Sequence, residues 1–201
     1  MSHEHKYTVP AIALHWVMAL LIIGLWISGT VIDELPKGPL RITAISWHKW
    51  VGVTGMFLWA LRITWRATHA TPPLEKPMAP WLTTVMKLTH FALYALMIVV
   101  PVLGWLTSSA KGYTVNYFGL FELPDLVNQD KSLGHLLKEM HESAAHAMMV
   151  LIGLHVAAAI KHQVIDKDNL IVIDESTGET IPAITKYDYT DNYSFRERDK
   201  T

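Results

Sequence analysis

The stretch Met140–Gln163, MHESAAHAMMVLIGLHVAAAIKHQ, carries three histidines in a largely apolar run. His141 and His155 are 14 residues apart, and His155 and His162 are 7 apart. On an α-helix these spacings return to within about 40° and about 20° of one direction, so the imidazoles share one stripe. His141 and His155 then lie roughly 21 Å apart along the axis, most of the about 30 Å hydrocarbon core of a bilayer. The stretch predicts a membrane-spanning helix that holds a ligand near each membrane face.

The composition is typical of a membrane protein. Hydrophobic residues make up 51% of the 201 residues and charged residues 17%, whereas an average soluble domain is about 25% charged. A soluble fold of this length could not bury so much apolar surface. The chain has no cysteine, which excludes iron–sulfur clusters and thiolate-ligated haem. We expect a lipid bilayer around the chain and no nucleic-acid partner.

Four apolar stretches are long enough to cross a bilayer as helices. In chain order they give an all-α membrane protein, an antiparallel four-transmembrane-helix bundle with up-down-up-down topology. We assign residues 1–167 to this domain, and residues 168–201 to an acidic cytoplasmic tail that is either a hairpin around STGE or disordered. The predicted spans are residues 10–32, 42–65, 82–107 and 140–163.

An even number of crossings places both termini on one side of the membrane. Within residues 1–167, seven Lys and Arg residues fall on that side and six on the other, so the positive-inside rule favours cytoplasmic termini by a small margin. The segment Ser108–Lys138 is predicted to be a long loop, and its apolar content suggests that it lies on the membrane surface.

Histidines from different spans are matched in depth. His15 and His155 lie near the face that carries the termini, and His48 and His141 lie near the opposite face. Two imidazoles that face each other across a helix bundle are the ligands of a six-coordinate b-type haem. The alternative for any one of these residues is an interhelical hydrogen bond. Two matched pairs favour two haems stacked across the membrane.

Small and basic residues on the second span are further candidates for cofactor binding. Gly52 and Gly55 follow His48 on one face and would let a flat ligand approach the helix, although helix packing would also explain them. Arg62 and Arg66 near the far end fit interfacial anchors or partners of haem propionates.

The sequence resembles the bacterial di-haem cytochrome b561 family of inner-membrane proteins. The resemblance assigns His15 and His155 to a cytoplasmic-side haem, and His48 and His141 to a periplasmic-side haem, both haem b (iron protoporphyrin IX). It also implies a multi-pass protein of the bacterial inner membrane. The motifs that carry it cover all four spans: ALHW, WHKWVG, RITWR followed by TPP, LTHFALYALMIVVPVLG, MHESAAH and GLHVAAAIKHQVIDKD.

One member of that family passes electrons from superoxide to ubiquinone. A histidine matching His162 lies by the quinone there, so the resemblance implies His162 as a quinone-side catalytic residue. Arg62, His90 and Lys161 are further candidates for lining that site. The loop YTVNYFGLFELPDLVNQDKS and the acidic tail depart from that member, which leaves the electron donor open.

The hypothesis is transmembrane electron transfer between a periplasmic redox partner, with superoxide as one candidate, and the membrane quinone, in either direction. The chain would then be a superoxide:ubiquinone oxidoreductase or an electron carrier. One alternative is a cytochrome b subunit that docks a separate dehydrogenase or reductase. A His-based proton or metal transporter would need carboxylates along a polar path, and the spans hold no mid-membrane Asp or Glu. A haem-free assembly or anchor protein is the last alternative.

Overall fold

The computed structural model describes residues 7–69 and 80–164 together with two short strands at 172–173 and 180–181, but not the side chains of residues 162 and 163. The chain forms two compact units, residues 1–73 with 77–154, and residues 74–76 with 155–201. The four long helices are α1 (Val9–Glu34), α2 (Pro39–Thr68), α3 (Pro80–Ala110) and α4 (Lys131–Val164).

Proline marks the start of α1 and α2. Pro10 lies in the first turn of α1, and Pro39 is the first residue of α2. At these positions the missing N–H costs no hydrogen bond. Pro101 lies inside α3, which continues as one α-helix to Ala110. Membrane helices tolerate an internal proline because neighbouring groups satisfy the freed carbonyl.

The segment between α3 and α4 is shorter than predicted. α3 continues to Ala110 and α4 begins at Lys131, so the prediction of a loop from Ser108 to Lys138 is wrong at both ends. Asp130 explains the early start of α4. Its Oδ1 accepts hydrogen bonds from the backbone N–H groups of Ser132 (2.8 Å) and Leu133 (3.0 Å), as an N-cap residue does.

A β-hairpin occupies much of this segment. Strands β1 (Val115–Tyr117) and β2 (Phe121–Leu123) pair antiparallel. Phe118 and Gly119 have φ values of 51° and 75°, and the Leu120 N–H donates to the Tyr117 carbonyl at 2.9 Å. Two consecutive positive φ values are typical of the tight turns that connect hairpin strands. Glycine enters this region at no steric cost.

The first unit is held together by contacts between antiparallel helices. Trp65 near the end of α2 donates to the Thr8 hydroxyl at the start of α1 (2.9 Å). His48 near the start of α2 meets Ser28 near the end of α1 (2.8 Å). α3 and α4 share a small apolar core with part of the segment between them, formed by Leu103, Ala110 and Leu137 with Leu106, Val127, Leu133 and Ala144 around it.

Large apolar side chains cover the outside of the helices. Leu20, Phe91 and Val150 are 69%, 71% and 64% exposed. α1, α3 and residues 131–161 of α4 are long and apolar enough to cross a membrane. α2 is long enough at 30 residues but less apolar, because it carries several basic, histidine and tryptophan side chains. These features are those of a helical membrane protein.

The second unit contains the last turns of α4 and the strands β3 (Val172–Ile173) and β4 (Thr180–Ile181). The two strands pair antiparallel, with Val172 opposite Ile181. The sequence STGE, where the hairpin turn is predicted, falls between them and outside the described residues, as does the segment 182–201.

Candidate cofactor site

The structure brings two of the predicted ligands together. His48 on α2 and His141 on α4 have ring centroids 6.2 Å apart, with their planes at 79°. A metal–imidazole nitrogen bond is about 2.0–2.1 Å long, and that nitrogen lies roughly 1 Å from its ring centre. Two rings on opposite sides of one metal ion therefore have centres about 6 Å apart. The observed spacing fits a metal held by both rings.

Hydrogen bonds fix the same tautomer in both rings. Nδ1 of His141 lies 2.8 Å from the Val100 carbonyl oxygen, which can only accept. Nδ1 of His48 lies 2.8 Å from Oγ of Ser28, and that hydroxyl donates its hydrogen to the Leu25 carbonyl at 2.8 Å. Both imidazoles therefore donate from Nδ1 and present the lone pair of Nε2. Metal-binding histidines are usually anchored in this way through their second nitrogen.

Glycines let the other two helices approach these rings. A Cβ at Gly29 on α1 would lie 3.4 Å from Cε1 of His48, and a Cβ at Gly104 on α3 would lie 3.2 Å from Cε1 of His141. Larger side chains would push the rings out of place. All four helices thus contribute to the position of the pair.

A cleft of about 420 Å³ beside His48 has almost wholly apolar walls, and sites for small molecules and cofactors have about 300–1,000 Å³. A Cβ at Gly52 would meet no atom within 4 Å, so there is open space along α2 one turn after His48. A Cβ at Gly55 would lie 3.3 Å from Leu21, so α1 packs closely against α2 there, and a role of Gly55 in cofactor binding stays a prediction. The cleft is lined by Leu21, Gly24, Leu25, Ser28, Val31, Ile32, Ala44, Trp47, His48 and Val51.

The donor set at this site favours haem over a metal bound by protein alone. Across residues 7–69 and 80–164, no three His, Asp or Glu side chains come together as a metal site. A metal held by His48 and His141 has further coordination positions that a non-protein group can fill. A porphyrin supplies four nitrogens and an apolar plane, so the residues present fit haem b.

The histidine at the other end of α1 has a different partner. Arg62 on α2 donates from Nη2 to Nδ1 of His15 (3.1 Å), from Nε to the Tyr94 hydroxyl (3.2 Å) and from Nη1 to the Ala11 carbonyl (3.4 Å). Because arginine can only donate, Nδ1 of His15 accepts, and a neutral His15 carries its proton on Nε2. This tautomer is opposite to that of His48 and His141. Metal binding through Nε2 of His15 requires the Arg62 contact to change or the ring to lose that proton.

The remaining predicted site residues are spread over both units. The Arg66 guanidinium lies 5.5 Å from the Tyr94 ring centre, and His90 is half-buried in α3. His155 is the first residue of the second unit in α4. His162 lies in the last turn of α4, but its side chain is outside the described part of the chain. The pairing of His15 with His155 and the quinone role of His162 stay predictions.

Ion pairs lie near the His48–His141 end. Asp33 at the end of α1 accepts from Arg41 and Lys138, both at 3.3 Å, and Lys138 also bonds Glu142. Burial lowers the pKa of Lys111 just after α3, and the charge of Lys138 lowers it further. These half-exposed ion pairs add little stability but connect the ends of α1, α2 and α4.

An open cleft of about 460 Å³ lies at the same end, between α2 and the hairpin. This cleft includes Lys49, which follows His48 in the chain. The ammonium of Lys49 also lies 5.7 Å from the Tyr113 ring centre. The lining residues are Ser46, Lys49, Trp50, Thr114, Asn116, Phe118 and Gly119.

Sequence reasoning missed the groups that orient the rings. Ser28 and the Val100 carbonyl anchor the two Nδ1 atoms, and Tyr94 accepts from Arg62. A serine next to glycine in an otherwise apolar span was the available signal for Ser28. The carbonyl of Val100 carries no signal in sequence.

A family model for prokaryotic cytochrome b561 matches residues 6–172. The chain belongs to the prokaryotic cytochrome b561 family. The resemblance drawn from the sequence motifs is thereby confirmed. As a member, this cytochrome is a haem b protein of the bacterial inner membrane that takes part in electron transfer.

Three relatives of this cytochrome match over most of their length. Cytochrome b561 homolog 2 of Escherichia coli K12 is 27% identical over 173 residues, which cover 83% of this chain and 89% of that protein. The probable superoxide oxidase CybB of Yersinia pestis is 28% identical over 171 residues, covering 83% and 94%. Cytochrome b561 homolog 1 of Escherichia coli K12 is 25% identical over 171 residues, covering 84% and 96%.

Proposed function

We propose that this cytochrome holds two haem b groups at two membrane depths and carries electrons between a periplasmic donor and membrane ubiquinone. The observation that supports this most directly is the His48–His141 pair, with both Nδ1 protons anchored and 6.2 Å between the rings. Bound haem supplies reversible one-electron chemistry at iron. The chain supplies two imidazole ligands, their anchors and an apolar cleft that excludes water.

The proposal includes four membrane crossings with both termini in the cytoplasm. α2 is the fourth crossing, because its contacts with α1 at Thr8–Trp65 and Ser28–His48 keep the two helices side by side along their length. The basic groups on α2 are compatible with this. Lys49 lies beside the Tyr113 ring, and the Arg62 guanidinium has three hydrogen-bond acceptors.

The second haem is proposed to bind His15 and His155 near the cytoplasmic face. Arg62 is 14 residues from His48 on α2, or roughly 21 Å along the helix, so His15 and His48 belong to different depths. Arg62 places a positive charge beside His15, where it can also pair with carboxylate groups of a cofactor.

A small anion is the proposed electron donor, and superoxide is the candidate of that class. The cleft at the periplasmic end includes Lys49, whose positive charge attracts anions, and one relative is a probable superoxide oxidase. Two superoxide ions each lose one electron and leave as O₂, while one ubiquinone takes up two electrons and two protons from the cytoplasmic side. His162 is proposed to donate protons to the quinone, since histidine exchanges protons near neutral pH. Arg62, His90 and Lys161 are candidates for the same site.

Haem content of purified single variants tests the pairing. The intact chain should hold two haems. His48→Ala and His141→Ala should each remove the same haem, while His15→Ala and His155→Ala should remove the other. Loss of one common haem in His15→Ala and His48→Ala would contradict the proposed depths.

The second candidate function is an electron-transfer subunit for a separate dehydrogenase or reductase, with the exposed turn of the hairpin between α3 and α4 as its docking surface. Superoxide-driven ubiquinone reduction by the isolated chain supports the oxidoreductase. A stable redox partner that copurifies, together with no such activity, supports the subunit.

A further inference from the structure

The β1–β2 hairpin is fixed against α2. Nε1 of Trp50 donates to the Asn116 carbonyl, and the hydroxyls of Thr54 and Tyr117 lie 3.0 Å apart. The Phe118 ring stacks on Trp50, with centroids 4.6 Å apart and planes at 29°. These contacts set the depth of the hairpin along the helix.

That depth can be measured against the charged end of α1. Ser28 is level with His48, and Asp33 lies five residues beyond Ser28, or roughly 7–8 Å along the helix. Trp50 lies about 3 Å past His48 in the opposite direction. At Trp50 the hairpin backbone is therefore attached about 10 Å inside the level of Asp33, and the Tyr117 side chain reaches Thr54, about 6 Å deeper. With Asp33 at the outer surface of a headgroup layer of roughly 5–7 Å, the hairpin lies near the boundary between headgroups and acyl chains.

The hairpin has the amphipathic character that this boundary favours. Leu120 is 77% exposed, and Phe118 and Phe121 are 43% and 47% exposed around the turn. Asn116 and Glu122, which pair across the strands, form an exposed polar face. In the hydrocarbon core the unpaired strand edges would be costly. At the interface, water reaches these edges while the apolar turn contacts lipid.

We propose that the β1–β2 hairpin inserts into the headgroup–acyl boundary of the leaflet on the His48 side, with Leu120 and Phe121 against lipid. The hairpin is then a membrane anchor that holds the start of α2, and with it His48, at a defined depth. This inference rests on α1 crossing the membrane and is independent of which donor the cytochrome uses.

The absence of cysteine allows a direct test by single nitroxide labels on the haem-loaded chain. The labels are placed at Leu120→Cys and Phe121→Cys, and the chain is reconstituted in phosphatidylethanolamine and phosphatidylglycerol nanodiscs. Collision with O₂, which concentrates in lipid, is compared with collision with a water-soluble nickel chelate. Leu20→Cys on exposed α1 is the lipid reference, and Asn128→Cys, exposed between β2 and α4, is the aqueous reference.

The expected result is a ratio of O₂ to nickel collisions at both hairpin positions that is several-fold above that of Asn128→Cys and below that of Leu20→Cys, which lies about 10 Å deeper in the membrane. A ratio equal to that of Asn128→Cys would place the hairpin in water and overturn the proposal in favour of a soluble partner. Dipolar coupling between labels on two chains, lost on dilution with unlabelled chain, would assign the patch to a second copy. Unchanged haem spectra in all variants show that the fold is intact.

Discussion

Replacement of Ser28 by alanine tests the cofactor site with the smallest possible change. The variant removes the acceptor for Nδ1 of His48 without touching either proposed ligand. A part-buried donor that loses its acceptor costs about 1–3 kcal/mol. Loss of such an anchoring contact typically weakens metal binding about 10–100-fold. We expect weaker haem retention at one site only.

The reduction potential of the same haem should also change. A hydrogen-bond acceptor at Nδ1 makes the imidazole a stronger electron donor, which favours oxidised iron. Ser28→Ala removes this preference for oxidised over reduced iron, so the reduction potential should rise by tens of mV. Each tenfold change in the ratio of oxidised to reduced iron corresponds to about 59 mV for one electron. Ser28→Thr keeps the hydroxyl and should leave the potential close to that of the unaltered chain.

An optical redox titration in nanodiscs measures the reduction potentials of both proposed haems in one experiment. Thr30→Ala is the matched control, because Thr30 lies on the same helix and makes an equivalent bond to the Ile27 carbonyl (2.8 Å) but is exposed. A rise in one potential with the other unchanged supports the assignment. Equal potentials in Ser28→Ala and Thr30→Ala would refute the role of Ser28 as the anchor of His48.

Three further outcomes are expected. Gly52→Leu should lower the haem content at the His48 site, because the added side chain would occupy the open space beside this glycine, where a Cβ meets no atom within 4 Å. The unfolding temperature of the haem-free Gly52→Leu chain should equal that of the control variant Ala60→Leu. Haem counting and light scattering on heating measure the two quantities. Gly104→Val should tilt the His141 ring and broaden the low-spin electron paramagnetic resonance signal of that haem alone. Arg62→Ala should lower the potential of the haem proposed at His15 by about 50 mV through loss of a nearby charge, and Arg62→Lys should restore most of it. An unchanged potential in redox titration would contradict this.

The features predictable from sequence are those that depend on one helix at a time. The stripe of His141 and His155 follows from helical periodicity, and the apolar length of α1 follows from composition. The start of α4 was missed because Asp130 was not recognised as an N-cap. The hairpin was missed because its turn includes Phe118 at a positive φ, a conformation that phenylalanine does not signal in sequence. The neighbouring Gly119 was the one sequence feature that favoured a turn there.

The features that could not be predicted depend on how helices are aligned with each other. His48 meets Ser28 only because α1 and α2 pair with one particular register. The tautomer of each histidine is then decided by the partner atom, which for His141 is a backbone carbonyl. Arg62 was predicted as an anchor or a propionate partner, but its contact with His15 needs the same α1–α2 alignment.

The two ends of the α1–α2 pair surround their histidines with groups of opposite effect on the reduction potential, and this difference bears on the direction of electron transfer. At one end, His48 donates from Nδ1 to a serine oxygen, which strengthens the ring as an electron donor. At the other end, Arg62 places a positive charge near His15, and this charge favours gaining an electron whether or not the hydrogen bond is kept. In the proposed arrangement the ligand type is the same at both ends, so Ser28 and Arg62 are two groups that would make the potentials of the two haems differ. This difference favours electron flow from the His48 end towards the His15 end, which is the direction required for reduction of ubiquinone by a periplasmic donor.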